Sequence, residues 1–463
     1  MTARTSHPVR VELRALGRLA APLAAAQAGQ ALMGVVDTAV VGRAGAVPLA
    51  GVGLGNALFF TVAVVGIGLM MGLDPLIAQA FGAGDPARAR KLLWQGGSLS
   101  VMVAAALALP LALLTLTLVP FGVEPAVAEL AGRFVLWRLP GLPFLFLYVG
   151  GRAYLAAAGH TRPMVIATVV ANLVNLPLGV LLVFGGAVLP GWAGPLRLVP
   201  ALGGAGAAIS SSLSLVLQSA ILYAAVRALP APALPPEARR PDPAELRRAV
   251  RVGLPSGLHM LVEVAFFSMA GLLAARLGAE PMAAHQLALS LATLTFTVTV
   301  GIGNAGSIRV GTFVGARDRL GARRAGLTAF AAAGGYMACT GLVFLAVPGL
   351  LARLMTDDPG VAAAAVPLLR VAAVFQVFDG IQGAGAGVLR GAGVTRFTFM
   401  ANLVGHWLLG APAQLIFVFG LGLGVVGLWW GFVVGLVSVS AALLWRFLQV
   451  SSREIVPLVS SSP

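Results

Sequence analysis

A chain of 463 residues that is 59% apolar and only 10% charged, with a mean hydropathy of +0.93, is not a set of water-soluble domains, whose composition averages about 25% charged residues. It is also far too apolar to stay unfolded in water, and its one cysteine, Cys339, excludes a disulfide framework or a cysteine-built metal cluster. A net charge of +15 would point to nucleic acid on a soluble protein. Here the basic residues are dispersed between apolar runs, as in the loops of a polytopic membrane protein, so the bilayer and not nucleic acid is the expected partner.

Twelve runs are long enough to cross a bilayer core of about 30 Å as helices of roughly 20 residues. They begin near Leu16, Pro48, Leu92, Val127, Met164, Leu198, Val252, Ala283, Ala325, Val361, Phe397 and Leu423. None alternates with period two, so the expected fold is all-α and not a barrel. The first run follows Arg4, Arg10, Arg14 and Arg18, shows no small-residue cleavage pattern and continues to Asp37. It reads as an uncleaved first helix. Residues 229–248, LPAPALPPEARRPDPAELRR, are rich in proline and charge and form the expected cytoplasmic linker. They separate an N-lobe, 1–228, from a C-lobe, 249–463. With both termini in the cytoplasm, 24 of the 31 Lys and Arg fall on the cytoplasmic side, and shifting by one helix would invert that bias. The expected location is the cell (inner) membrane.

The two halves repeat. Pro22, Arg43, Gly45, Pro48 and Gly82 match Pro255, Arg276, Gly278, Pro281 and Gly315 at a constant offset of 233. GHTR at Gly159–Arg162 and VFG at Val183–Gly185 recur as GVTR at Gly393–Arg396 and VFG at Val418–Gly420. Because six spans is an even number, both halves keep one orientation and are related by a pseudo-two-fold axis along the membrane normal. That is the architecture of an alternating-access transporter, with substrate expected between the halves.

An ionisable group within a span costs roughly 2.5–3.5 kcal/mol on the insertion scale, so it is a functional candidate by default. Glu263 sits in mid-span seven, with His259 and Phe267 one turn to either side. It is read as a carboxylate that binds and releases Na⁺ or H⁺, or as a neutral group holding helices together. Its repeat counterpart is Gln30. Asp379 lies in span ten with Gln376, Gln382 and Gly383 on its face. Asp37 lies in the outer part of span one, where Asn172 and Asn175 of span five can complete an ion site or act as glue. Asp74 is closer to the cytoplasmic end and suits a salt bridge. His259, His285 and His406 read mainly as core residues. Aromatics such as Phe267 and Phe375 either line a cavity for flat cations or pack the core.

QxxMGxVDTxxVGxxG at Gln30–Gly45, AQAFGAGD at Ala78–Asp85, AHQLAL at Ala284–Leu289 and FQxxDGxQxxxxGxLRG at Phe375–Gly391 resemble multidrug and toxic compound extrusion (MATE) transporters, in their NorM-type branch. The resemblance implies a twelve-helix, two-lobe exporter that exchanges cytoplasmic drugs for Na⁺ or H⁺, with no other cofactor. It also implies that Glu263 and Asp379 bind the coupling cation, Na⁺ included, with Asp37 and Asn175 as further candidates. Pro22 matches a first-helix proline about which that helix bends in some members. Phe375 stands where some Na⁺-coupled members have Tyr, and Gly179 where a second polar residue is found.

The expected substrates are organic cations held in a cavity to which Gln30, His259, Phe267, Phe375, Gln376 and Gln382 contribute, in a monomer. The alternative is an exporter of lipid-linked saccharides or another metabolite, with the same architecture. That reading wants a cationic cavity, and Arg370 is the lone deep arginine, with Arg133 and Arg138 early in span four. An integral membrane enzyme is not expected, because the deep histidines are scattered over different helices. A nucleotide-driven pump is excluded by the lack of a GxxxxGK[ST] loop.

Overall fold

The computed structural model describes residues 9–188, 190–230 and 234–458. Arg4 of the expected basic start and residues 231–233 of the expected linker lie outside them. Among the described residues every regular element is helical. Twelve helices are long and apolar enough to cross a membrane, as the hydropathy pattern predicts. They are α1 (Val9–Gly42), α2 (Ala46–Gly82), α3 (Pro86–Leu116), α4 (Pro125–Ala157), α5 (Arg162–Phe184) and α6 (Gly204–Ala228). The second six are α7 (Pro243–Arg276), α8 (Ala279–Gly315), α9 (Arg319–Ala346), α10 (Pro359–Gly391), α11 (Thr395–Gly420) and α12 (Gly424–Ser451).

Two boundaries differ from the sequence reading. The sixth span does not begin near Leu198: Gly191–Leu198 forms short 3₁₀ turns and α6 starts at Gly204. Pro190, Pro195 and Pro200 each remove a backbone donor, and Gly194 and Gly203 adopt positive φ of 53° and 56°, where a helix cannot pass. Conversely, α7 starts at Pro243, inside the stretch 229–248. Proline at a first helical position costs no hydrogen bond, and the Asp242 carboxylate accepts from the Ala244 N–H at 3.0 Å.

The repeat is written into local geometry. Gly45 and Gly278, 233 positions apart, precede α2 and α8 with φ of 123° and 121°, a region open to glycine and strained for side chains. A Cβ on either would meet the Cδ of the following proline, Pro48 or Pro281, at 3.7 Å.

The chain packs as two compact units. One holds residues up to Gln27, Asp74–Asp85 and Leu258 onward; the other holds Ala28–Leu73 and Pro86–Gly257. In the first unit, Gly301 of α8 meets Ala24 of α1, where a Cβ would lie 2.7 Å from Ala24 atoms. In the second, the equivalent Gly68 of α2 meets Gly257 of α7, with a Cβ at 2.4 Å. The opening halves of α1 and α7 therefore make the same close contact, each on the second helix of the other repeat. The ends of α2 and α8 make a reciprocal contact within the first unit. A Cβ on Gly82 would lie 1.9 Å from the Thr312 carbonyl, and one on Gly315 would lie 2.0 Å from the Gln79 carbonyl. Because Gln79 and Thr312 are themselves repeat mates, this contact is self-complementary, as a two-fold requires.

Small residues also bring α8 and α10 together in the first unit. A Cβ on Gly387 would meet the Gly303 carbonyl at 2.1 Å, and one on Gly391 would meet the Ser307 carbonyl at 2.3 Å. In lipid, where apolar burial gives little net drive, such close backbone approach supplies the packing energy between helices. The same unit has two buried ion pairs near its chain entries. Arg309 grips Glu12 through Nε at 2.8 Å and Nη2 at 2.6 Å, and Arg390 Nε lies 3.5 Å from Asp74 Oδ2.

Candidate functional site

In the first unit, the middle of α7 and the middle of α10 bring Glu263 and Asp379 within electrostatic reach of each other. Asp379 is 4% exposed, and the Glu263 side chain 18%. One turn before Glu263, His259 places Nε2 3.2 Å from Glu263 Oε2, within ion-pair distance. One turn beyond Asp379, Gln382 donates from Nε2 to Asn402 Oδ1 at 2.8 Å and also reaches Glu263. Among the described residues no hydrogen bond ends on the Asp379 carboxyl.

The remaining expected cavity residues of this unit lie around that cluster. Gln376, one turn before Asp379, is fully buried and accepts from Thr295 and Thr340 at 2.8 Å each. Phe375 is buried against Trp429, ring centroids 5.3 Å apart. Phe267 stands edge-on to Phe375 at 6.2 Å and lies against Phe432 at 4.7 Å. These rings belong to one apolar core with Phe266 and Leu436.

Two residues of α11 complete the cluster. Asn402 and His406 are both fully buried. His406 stacks on Phe266 with centroids 4.7 Å apart and lies within electrostatic reach of Glu263. Neither of its ring nitrogens has a hydrogen-bond partner among the described residues. They sit at the start of a π-helical stretch, Leu403–Gly410, followed by a second one, Ile416–Gly420. Pro412 between them has no N–H to give to the preceding turn, and widening the helix accommodates that loss. Such wide turns recur at functional sites.

The second unit holds the other polar cluster. Asp37 of α1 accepts a hydrogen bond from Ser211 of α6. Arg138 of α4 and Asn175 of α5 lie within its electrostatic reach. The Arg138 guanidinium lies over the Phe59 ring, 5.0 Å from its centroid. Asn175 is 1% exposed and donates to Ser210 Oγ at 3.2 Å, while Ser210 Oγ donates to the Asn175 carbonyl at 3.0 Å. A Cβ on Gly179 would lie 3.6 Å from the same Ser210 Oγ, so α6 supplies the hydroxyl that α5 lacks. Asn172 ties α5 to α1 through the Gly29 carbonyl at 2.9 Å. Gln30 donates to Gln218 Oε1 at 2.6 Å.

Glu263, Asp379, His259 and Gln382 thus meet in one unit, and Asp37 and Asn175 meet in the other. Sequence reasoning passed over Arg138, Ser211, Asn402 and His406 as members of these clusters. Chemically, two carboxyls in a poorly hydrated place repel when both are charged, and a proton or a bound cation relieves that repulsion. Among the described residues no three His, Cys, Asp or Glu are arranged to hold a metal ion. A Na⁺ at Glu263 and Asp379 would therefore draw on amide or carbonyl oxygens, such as Gln382, for its remaining ligands.

The family model described as MatE matches the chain twice, over residues 22–181 and 255–416. The chain belongs to the MATE family. The two matches begin at Pro22 and Pro255, which are the repeat mates seen in the sequence. The multidrug resistance protein NorM of Burkholderia vietnamiensis is 35% identical over 447 residues, covering 95% of each chain. A probable multidrug resistance protein NorM of Pseudomonas putida is 34% identical over 444 residues, covering 94% of each. Among solved structures, the eukaryotic MATE transporter AtDTX14 is similar with a TM-score of 0.82 at 21% identity, covering 97% of this chain and all of that one. MATE proteins are twelve-helix, two-lobe membrane transporters and not enzymes, in agreement with the sequence analysis.

Proposed function

We propose that this MATE protein is a secondary active multidrug exporter that exchanges cytoplasmic organic cations for Na⁺ or H⁺ by alternating access. The observation that supports this reading best is the proximity of Glu263 and Asp379, Asp379 buried and Glu263 half-buried within reach of Gln382. NorM relatives named as multidrug resistance proteins, at about a third identity over nearly the whole chain, support the drug substrate.

A cation bound between the carboxyls lowers the energy of the loaded state, and an organic cation competes for the same negative charge. A ligand shifts a conformational equilibrium only through its different affinity for the two states. Loading from outside and release inside then couple the gradient to export, with about 2.3 kcal/mol per charge per 100 mV available in addition to the ion gradient. In this reading Asp37 and Asn175 form a secondary cation site, with Arg138 as a tethered positive charge beside it. The protein acts as a monomer in the cell (inner) membrane with both termini in the cytoplasm.

The test is efflux of a fluorescent organic cation from proteoliposomes with the Na⁺ and pH gradients imposed separately. Export driven by one of the two gradients supports antiport. Equal, gradient-independent leakage under all conditions would overturn it.

A further inference from the structure

At one end of the second unit, away from Asp37 and Asn175, α3 and α6 border a solvent-open cavity of about 210 Å³ that also receives Arg239 from the loop before α7. Three of its walls are guanidinium groups: Arg90, Arg227 and Arg239. Aromatic rings hold each of them. Arg90 lies over Tyr154 at 5.6 Å, Arg227 over Tyr223 at 4.8 Å and Arg239 over Trp94 at 5.5 Å. Trp94 and Tyr223 stand edge-to-face at 6.0 Å, joining the two stacks into one wall. Leu93 and Val226 complete the lining, and no carboxylate is among the wall residues.

Two acids of this region are engaged elsewhere, and a third, Glu237, is exposed on the turn that carries Arg239 and is not among the wall residues. Asp242 pairs with Lys91 at 2.7 Å, and Glu245 pairs with Arg88 at 3.2 Å and Arg248 at 3.1 Å. Arg90 has one further contact, a hydrogen bond to the Val226 carbonyl at 2.9 Å. Among the described residues neither Arg227 nor Arg239 forms an ion pair. Three like charges along one wall that holds no carboxylate repel one another, although water screens the exposed Arg227 and Arg239, so an anion in the cavity lowers the energy of this arrangement.

We propose that this cavity is a binding site for a phosphate-bearing anion, recognised by the forks of Arg90, Arg227 and Arg239. Guanidinium groups match phosphate oxygens bidentately, and stacking on Trp94 and Tyr223 keeps the forks oriented. The place favours the headgroup of an anionic phospholipid. The cavity lies where α3 begins and α6 finishes, its wall holds a Trp and a Tyr, residue types enriched beside headgroups, and basic pockets between helices hold anionic headgroups. A free phosphate shares the chemistry and is the other source.

The test uses the full-length protein in detergent and follows its unfolding temperature, since a ligand that binds the folded state raises it. Phosphatidylglycerol is titrated in one arm, inorganic phosphate at fixed ionic strength in another, and phosphatidylcholine in a control. The wild type gains stability saturably with phosphatidylglycerol and not with phosphatidylcholine, and the Arg227→Gln/Arg239→Gln variant needs about tenfold more of the anionic lipid for the same gain. If inorganic phosphate alone reproduces the gain and the variant loses it, the site stands and soluble phosphate is its ligand. A wild type that responds to neither probe, or a variant that responds to both as the wild type does, overturns the proposal. Should the glutamine variant fail to fold, Arg227→Lys/Arg239→Lys retains the charge and removes the forks. It responds more weakly than the wild type, and an equal response would contradict fork recognition.

Discussion

His259 holds its Nε2 3.2 Å from Oε2 of Glu263, one turn further along α7. A histidine so placed is a tethered positive charge when protonated, and it competes with any cation that Glu263 binds. His259→Asn removes the group able to carry that charge and keeps a polar side chain. The expected outcome is retained drug efflux with half-maximal drive at about three- to tenfold lower coupling-cation concentration, a difference of roughly 1 kcal/mol in a partly hydrated site. Dose–response curves in proteoliposomes check this, and an unchanged or raised requirement contradicts it.

Glu263→Gln and Asp379→Asn keep shape and lose the charge that can be gained or released. Both variants are expected to reach the membrane in normal amount and to lose drug efflux by at least about tenfold, the cost of about 1.4 kcal/mol or more of lost coupling. Efflux at the wild-type rate in either one, at equal membrane content, counts against its role in coupling.

Arg138 and Asp37 form the corresponding test in the other unit. Removing one member of a buried charged cluster strands the other charge, whereas removing both does not. Arg138→Met is expected to lower the unfolding temperature in detergent, and adding Asp37→Asn restores part of it. The double-mutant cycle should return a coupling of about 1 kcal/mol or more. Strict additivity would show that the two side chains act independently.

Gly387 has no room for a side chain, because its Cβ would fall 2.1 Å from the Gly303 carbonyl. Backbone cannot withdraw as a flexible side chain can, so Gly387→Val forces α8 and α10 apart. The expectation is a loss of folded protein equivalent to 3 kcal/mol or more, on the order of the larger overpacking penalties. Gly335→Ala on α9 is the control, since nothing lies within 4 Å of its Cβ. It should leave folded yield unchanged.

The number of spans and the repeat were legible because each rests on local chemistry. Apolar length fixes a crossing, and Gly45 and Gly278 impose the same turn wherever they occur. Glu263 and Asp379 stood out because an acid in an apolar run is expensive. The partners of those acids were less visible, since they depend on packing between distant helices. Nothing in the sequence near Arg138 shows that α4 brings it beside Asp37. His406 was hidden for another reason: the π-helical stretch Leu403–Gly410 shifts the faces that a period of 3.6 assigns, and Pro412 was the one local sign of it, whereas Asn402, on regular helix just before it, was hidden as Arg138 was. The late start of α6 was readable in principle from Pro195, Pro200 and Gly203. An apolar run broken by such residues is a loop.

Competition between drug and coupling cation for the carboxyl pair is measured most directly by drug affinity in detergent solution, with pH and Na⁺ varied in turn. The account predicts that affinity for a fluorescent organic cation falls in the wild type as H⁺ or Na⁺ rises, by up to about tenfold per tenfold rise for one ion displaced. The Glu263→Gln/Asp379→Asn protein should show weaker binding that no longer responds to either ion. Wild-type affinity independent of both ions, or the same response in the double variant, would contradict the exchange scheme.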